Sequence, residues 1–583
     1  MTDKFPKKLK LRWLRLSLLI LLFSTTTRPL HAETVKTTQL PNLPPPQDIQ
    51  PPTPIPPSPE LPQPLPPPVE LLPPSQPTTP PSESIPSNLM GTVTVKHFEI
   101  VGSTVFSQEE LKQEVADFLN RPISLAELYQ ARSRITDLYV NNGYVTSGAY
   151  IPPQSIESGV VKIQVVEGKF ERIQISGTQR LSPNYVRDRI KASLTGPVNQ
   201  TRLLETLQLL QRNPLIQNLS AELSAGSRLG TSVLEVKIKE ADTFSTQIVL
   251  DNGRSPSVGS FRRRLQVTEA NLLGFGDDLT IGYANTDGSN TFDASYTIPV
   301  NPRDGTISFS YGTSAANVIE KPFDILDIQA ESRQYELTYR QPIVQTPTQE
   351  FAVGITASRK ESEASYLNEG FGRIPFQSDG ADEKGNTRVS AIRFFQEWVS
   401  RNNQEVFAVR SQFNLGVGAF DATINQDAPD SRFFSWQGQA QWVRLLAPET
   451  LLLLRLNTQL ATTTLVPLEQ FGVGGQESVR GYRQDSLLAD NGVFASAEVQ
   501  LPILRAGGTL QLIPFADFGL GWNSGTQNPE SNMLASAGLG LQWRGGDRFN
   551  ARIDWGIPLV DVDSDGRTWQ ENGVYFSVIY NAF

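Results

Sequence analysis

Apolar positions change their period along this chain. Between residues 91 and 241, short alternating stretches are interleaved with helical spacing. Val93, Val95 and Phe98 predict a strand, which ends near Gly102. Ser107 before Glu109 and Glu110 then starts a helix, whose apolar face is Leu111, Val115, Phe118 and Leu119. Ser124 with Glu127 three residues on forms a capping box for a second helix, with Leu128, Ala131, Ile135 and Leu138 on one face. Strands over Val145–Ile151 and Val160–Val166 close the unit. Residues 171–241 repeat this order. Ile173 and Ile175 predict a strand and Gly177 takes the place of Gly102. Ser182 starts one helix and Thr201 caps another. Leu219–Leu223 and Val233–Ile238 are the closing strands. Two tandem copies of one β-α-α-β-β unit form an internal repeat.

From Phe244 to Phe583 only the period of two remains. Leu279, Ile281 and Tyr283 alternate with polar neighbours, as do Ile307, Phe309 and Tyr311. Val493, Ala495, Ala497 and Val499 face away from Ser496, Glu498 and Gln500. In the same way Ala551, Ile553 and Trp555 face away from Arg552 and Asp554. About sixteen such segments fit, an even number. Short connections near 301–304, 345–349, 401–403, 447–449 and 545–547 alternate with long ones near 316–330, 361–387, 464–490 and 560–571. Short turns on one side and long loops on the other are the signature of a membrane barrel with its polar face toward a wet lumen. A soluble all-β sandwich or propeller would need a dry core, which fits poorly with Glu, Arg, Asp and Gln deep in the strands.

Composition narrows the chemistry. The 583 residues are too many for one ordinary domain. There is no cysteine, so neither disulfides nor thiolate metal sites are possible. The two histidines, His31 and His97, leave little for a metal centre or a triad. A net charge of −9 without a basic stripe points away from nucleic acid. No helical stretch is long and apolar enough to span a bilayer, so a membrane protein with this sequence must be a closed barrel. Basic residues from Lys4 to Arg15, the short apolar run Leu16–Phe23 and the site Leu30-His31-Ala32 predict a signal peptide over 1–32. Residues 33–90 are proline-rich and predict an extended spacer without a core. The expected order is therefore signal peptide 1–32, linker 33–90, α+β units 91–170 and 171–241, and a barrel 242–583.

Several stretches resemble the transporters of two-partner secretion, the TpsB or haemolysin secretion/activation family. Asn142-Gly143-Tyr144-Val145-Thr146-Ser147, Ile151-Pro152 and Val165-Val166-Glu167-Gly168 resemble the first POTRA domain of that family. Asp251-Asn252 and Asn271-Leu272-Leu273-Gly274 resemble its first barrel strands. Val479-Arg480-Gly481-Tyr482, between the eleventh and twelfth expected strands, resembles a motif carried on a loop that folds into the lumen. Phe515-Ala516-Asp517-Phe518-Gly519 resembles the F-x-D-x-G motif of an inner-wall strand, and the resemblance implies that Arg480 pairs with Asp517. A guanidinium fork beside a flexible glycine suits such a carboxylate, and an exposed pair in a wet lumen would contribute about 1 kcal/mol or less. The resemblance also implies that the terminal aromatic Phe583 is read by the barrel-assembly machinery. The alternation Phe576, Val578, Tyr580, Ala582 runs one residue out of register with Phe583. The chain departs from the family where the proline tract occupies the region of its pore-plugging helix.

The resemblance implies an outer-membrane protein in contact with lipid, its POTRA domains in the periplasm binding an unfolded secreted partner that is threaded through the barrel. No catalytic constellation, cofactor motif or metal site is expected. Asp561, Asp563, Asp565 and Gly566 resemble the start of a calcium loop, but position twelve is Asn572 rather than a bidentate Glu. Two other functions compete: a Bam-like insertase that assembles outer-membrane β-barrels, which shares the Arg480 motif but usually carries more POTRA domains, and a passive porin, which needs no binding arm.

Overall fold

The computed structural model describes residues 60–72, 92–156, 158–368, 370–505, 507–562 and 567–582. The expected signal peptide, most of the proline tract, Phe583 and the residues Asp563, Asp565 and Gly566 of the calcium-loop resemblance lie outside them.

Two α+β units come first. In the first, His97–Val101 lies parallel to Val160–Val166, which pairs antiparallel with Gly148–Tyr150. The helices Gln108–Glu114 and Leu125–Asn141 both begin with a complete capping box, Ser107 with Glu110 and Ser124 with Glu127. Their apolar faces bury Leu111, Leu128 and Ile135 against Phe98 and Ile163 of the sheet. The second unit has the same topology. Lys169–Ser176 lies parallel to Thr231–Glu240, which pairs antiparallel with Ile216–Ala225. Its helices are Pro183–Ser193 and Gln200–Gln211. The second of these is capped by Asn199, which accepts from the Arg202 amide at 3.2 Å, and not by Thr201. The Asn side chain sits one residue outside the first turn, where a cap must be.

The two copies also agree in detail. In each, a carboxylate at the end of the last strand gathers the amides of the turn that follows the first. Glu167 accepts from Thr104 N (2.6 Å), Val105 N (3.0 Å) and the Tyr139 hydroxyl (2.9 Å). Glu240 accepts from Gln179 N (2.6 Å) and Leu181 N (2.9 Å). Burial pushes both carboxyls up, but these hydrogen bonds outweigh it and hold both below the usual carboxylate range.

The rest is a closed antiparallel barrel, in which Phe244–Asp251 pairs with Val574–Asn581 to complete the ring. The ring holds seventeen segments. One of them, Gly372–Pro375, merely folds back on the end of Gln349–Asn368, leaving sixteen long strands. Alternation sorts the faces. Leu337, Phe394, Leu541, Ile553 and Trp555 are exposed on the outside. Gln511, Asp517, Glu498 and Asp554 are buried inside.

The second unit sits on the rim that carries the short turns. Arg189 donates to Asp304 at 2.7 Å, Ser182 N to Gly274 O at 2.8 Å, and Arg212 to Pro347 O at 2.9 Å. Part of the proline tract joins this contact. Leu71, which ends the short helix Pro68–Leu71, and Leu72 just after it enter the core of the second unit, beside Leu207 and Leu219. Glu60 bridges Arg212 (2.5 Å) and Arg401 (3.0 Å). The sequence reading of a spacer without a core therefore fails for 60–72, because Val69, Leu71 and Leu72 interrupt the prolines and two of the three find an apolar groove.

Candidate functional site

The connection between Thr450–Ala461 and Asn491–Arg505 turns into the lumen. Within it, Phe471–Val473 pairs with Leu487–Ala489, so the segment is a hairpin with its tip between. Beside the hairpin a cavity of about 1130 Å³ remains. Charged wall residues line it, among them Arg264, Arg340, Glu397 and Arg410, and the hairpin closes one side with Leu468 and Leu488. Most wall charges pair across the wall itself: Arg264 with Asp293 (2.6 Å), Arg340 with Glu397 (2.8 Å) and Arg410 with Glu397 (2.5 Å). The result is a polar channel obstructed by one element of the chain.

The tip carries Val479, Arg480, Gly481 and Tyr482, and each meets the wall differently. Arg480 grips Asp517 with Nε (2.8 Å), Nη2 (2.9 Å) and its own backbone amide (3.2 Å). Its Nη1 donates to Glu498 at 3.1 Å and to Asp554 at 3.4 Å. The guanidinium lies 3.4 Å from the centroid of the Phe515 ring, a cation–π contact. Ser496 completes Asp517 with a hydroxyl bond of 2.7 Å. Arg552 holds Glu498 (2.8 Å) and Asp554 (2.7 Å) from the other side.

Val479 is fully buried with Val473, Leu487, Phe494 and Leu534. Gly481 has φ +99°, and a Cβ there would lie 3.2 Å from the carbonyl oxygen of Gly556, so the backbones can approach only without a side chain. A Cβ on Gly519 would lie 2.4 Å from Val473, so this glycine makes room for the hairpin on the wall. The Tyr482 hydroxyl lies 2.7 Å from Ala535 O and 3.0 Å from Val560 O. Tyr575 donates its hydroxyl to the carbonyl of Tyr482.

Seven residues singled out in the sequence thus stand together: Val479, Arg480, Gly481, Tyr482, Phe515, Asp517 and Gly519. Their setting is drier than an exposed pair in a wet lumen. Arg480 is 1% exposed and Asp517 0%. The apolar cluster around Val479 covers them and excludes water. Sequence reasoning also missed that Arg480 meets three carboxylates rather than one. The signal was present, since Glu498 and Asp554 share the inward parity of their strands with Ser496 and Arg552. A pairing between strands far apart in the chain is not visible in that parity. Nothing in the sequence marked Glu469, which lies near the base of the hairpin at 3% exposure and contacts Arg393 and Lys360.

With this geometry in place, comparison with known proteins is informative. The family described as haemolysin secretion/activation protein ShlB/FhaC/HecB matches residues 230–543. The POTRA domain of ShlB type matches residues 93–168. The heme/hemopexin transporter protein HuxB of Haemophilus influenzae is 23% identical over 473 residues, covering 77% of this chain and 80% of its own. The outer membrane transporter CdiB of Escherichia coli is 23% identical over 487 residues, covering 81% and 79%. Among solved structures, CdiB from Escherichia coli superposes with a TM-score of 0.66 at 19% identity, covering 87% of this chain and 94% of that one. BamA from Haemophilus ducreyi lacking POTRA domains 1–3 gives 0.50 at 14%, covering 84% and 100%. At such identities the structural likenesses establish the fold.

Proposed function

The chain belongs to the ShlB/FhaC/HecB haemolysin secretion/activation family, and on that premise we propose that it carries one secreted partner polypeptide across the outer membrane. It is a transporter of that membrane, with its POTRA region in the periplasm. The observation that carries the reading is the obstruction of the lumen. A polar channel is closed by a hairpin whose strands pair with each other and not with the barrel, and which ion pairs and apolar packing hold to the wall. Such an element can leave without breaking the barrel ladder, and the ladder is what a membrane barrel cannot lose.

The chain divides, on this reading, into a signal peptide 1–32, a linker 33–90, two POTRA domains 91–170 and 171–241, and a barrel 242–583. The unfolded partner meets the POTRA domains first. Edge strands such as Gly148–Tyr150 offer unpaired backbone for strand addition. In the second domain the groove beside helix Gln200–Gln211 is already filled by Leu71 and Leu72, which leaves the first domain's surface for the partner. Arg480 and Asp517 latch the hairpin while the channel rests. Folding of the partner outside drives export, and no catalysis, cofactor or nucleic acid enters the cycle. Phe583 serves recognition by the barrel-assembly machinery during biogenesis.

The test is secretion by cells carrying the wild type, Arg480→Ala or a deletion of residues 91–241, with outer-membrane levels checked. The reading expects one large exported protein to vanish from the medium while other barrels stay intact. Unchanged secretion with broad depletion of outer-membrane proteins would replace it with an insertase.

A further inference from the structure

One ion-pair anchor outside the motif joins Arg483 of the lumen hairpin to Glu320 and Glu571. Another lies near its base. Glu469 precedes the first hairpin strand by two residues. It receives a two-pronged grip from Arg393, Nη2 to Oε1 at 2.7 Å and Nη1 to Oε2 at 3.0 Å. Lys360 adds a contact of 3.0 Å to Oε1 and donates to the Leu468 carbonyl at 3.3 Å. Arg393 lies on Asn386–Arg401 and Lys360 on Gln349–Asn368. Arg480 instead is held by Asn491–Arg505, Thr509–Trp522 and Phe549–Pro558, a different arc of the wall.

We propose that Glu469, Arg393 and Lys360 form a second lock on the hairpin, which must release together with Arg480 before a polypeptide can pass. This rests on the transport reading above. Three features separate a lock from an ion pair that merely stabilises the sheet. First, the partners differ in kind. Arg264, Arg340 and Arg410 pair with carboxylates on the wall itself. Arg393 reaches a carboxylate on the lumen segment instead. Second, Arg393 keeps wall partners of its own, Ser358 at 3.0 Å and Asn414 at 3.1 Å. These hold the guanidinium in place when Glu469 leaves, so the lock can close again. Third, the Glu469 and Arg480 anchors lie on separate arcs of the wall, so the loss of either one does not free the whole hairpin. Freeing Arg480 alone leaves the hairpin tied at its base, beside the cavity that a chain must enter. A buried, bidentate Arg–carboxylate contact is both directional and strong enough for that role, and two arrangements of one packed element are the usual basis of a switch.

The test uses the full-length protein in planar bilayers, with Glu469→Gln, Arg393→Gln, the double variant and Arg480→Ala as reference. Heat-modifiable gel mobility checks that each barrel is folded. Each single variant should raise the fraction of time spent in the open state at least five-fold. The double variant should not exceed the larger single effect, because both substitutions remove the same contact. Wild-type conductance in both singles, while Arg480→Ala opens, would overturn the proposal, as would additive effects in the double variant. Should Arg393→Gln not fold, Lys360→Gln reads the same contact, and no change there counts against the lock. A second readout needs only one added residue, because the chain has no cysteine. A cysteine at Gln470 should label faster with a maleimide in the Glu469→Gln background, and an unchanged rate overturns the proposal. Export of the partner is followed in parallel. Absence of export by the wild type would end the transport reading, whereas conductance reports on the lock alone.

Discussion

Arg480 has almost no contact with water, and that changes what its loss would do. Removing it leaves Glu498 and Asp554 buried with Arg552, and Asp517 buried with the Ser496 hydroxyl. Breaking a buried ion network by deleting one partner costs about 3–5 kcal/mol. The hairpin tip should therefore leave the wall in Arg480→Ala, and the open fraction in planar bilayers should rise. Arg480→Lys keeps the charge but not the fork, and should fall between the two. Equal behaviour of Lys and wild type would show that charge alone suffices.

A second prediction concerns Glu167. Its carboxyl is held below the usual range, so its folded pKa lies under the unfolded one. Its stabilisation is then complete above the ordinary carboxylate range, near pH ~4.3, and is lost as pH falls through the depressed folded value. Glu167→Gln should lower stability at neutral pH by about 1.5 kcal/mol, the low end for bonds to a charged acceptor. The gap to wild type should close on acidification. Thermal unfolding of a 60–241 fragment across pH checks both. At this scale the motif residues were legible because short motifs mark them. Glu469 and Arg393 were not, since each is one more polar residue on an inward face until the hairpin brings them together.

At the scale of elements, the strap that residues 60–72 lay on the second unit and the lumen hairpin are the features with most to test. Leu71 is 1% exposed within the core of the second α+β unit. Leu71→Ala should destabilise the 60–241 fragment by about 2–5 kcal/mol, as for other buried leucines. A fragment beginning at residue 92 should melt lower for the same reason. If the two fragments melt alike, the strap is not part of that core. For the hairpin, Gly519→Val has no room beside Val473. It should displace the hairpin and increase conductance while leaving the barrel ladder heat-modifiable. The strands were readable because lipid on one side and a polar lumen on the other impose a strict period of two. Helix starts were readable where Ser and Glu stand three apart. The segment 60–72 was hidden, since the prolines among its apolar residues argue against any regular element there.

In the whole molecule, the POTRA region and the barrel meet through side chains of one rim. Arg189 with Asp304 and Arg212 with Pro347 fix the second domain beside the lumen mouth. That order was legible in outline, because the change from mixed to purely alternating periodicity near residue 244 separates the two parts. How they sit together was not, since it depends on single contacts between distant residues. Transport requires that a partner polypeptide travel through the lumen. The most direct measurement is photo-crosslinking during export of a partner stalled by a stably folded fusion. One crosslinker replaces Gln412, which lines the cavity, and another replaces Leu337, 53% exposed on the outer face. The account predicts a partner adduct at residue 412 and none at 337. No adduct at 412, or adducts with many other barrel proteins at 337, would contradict it.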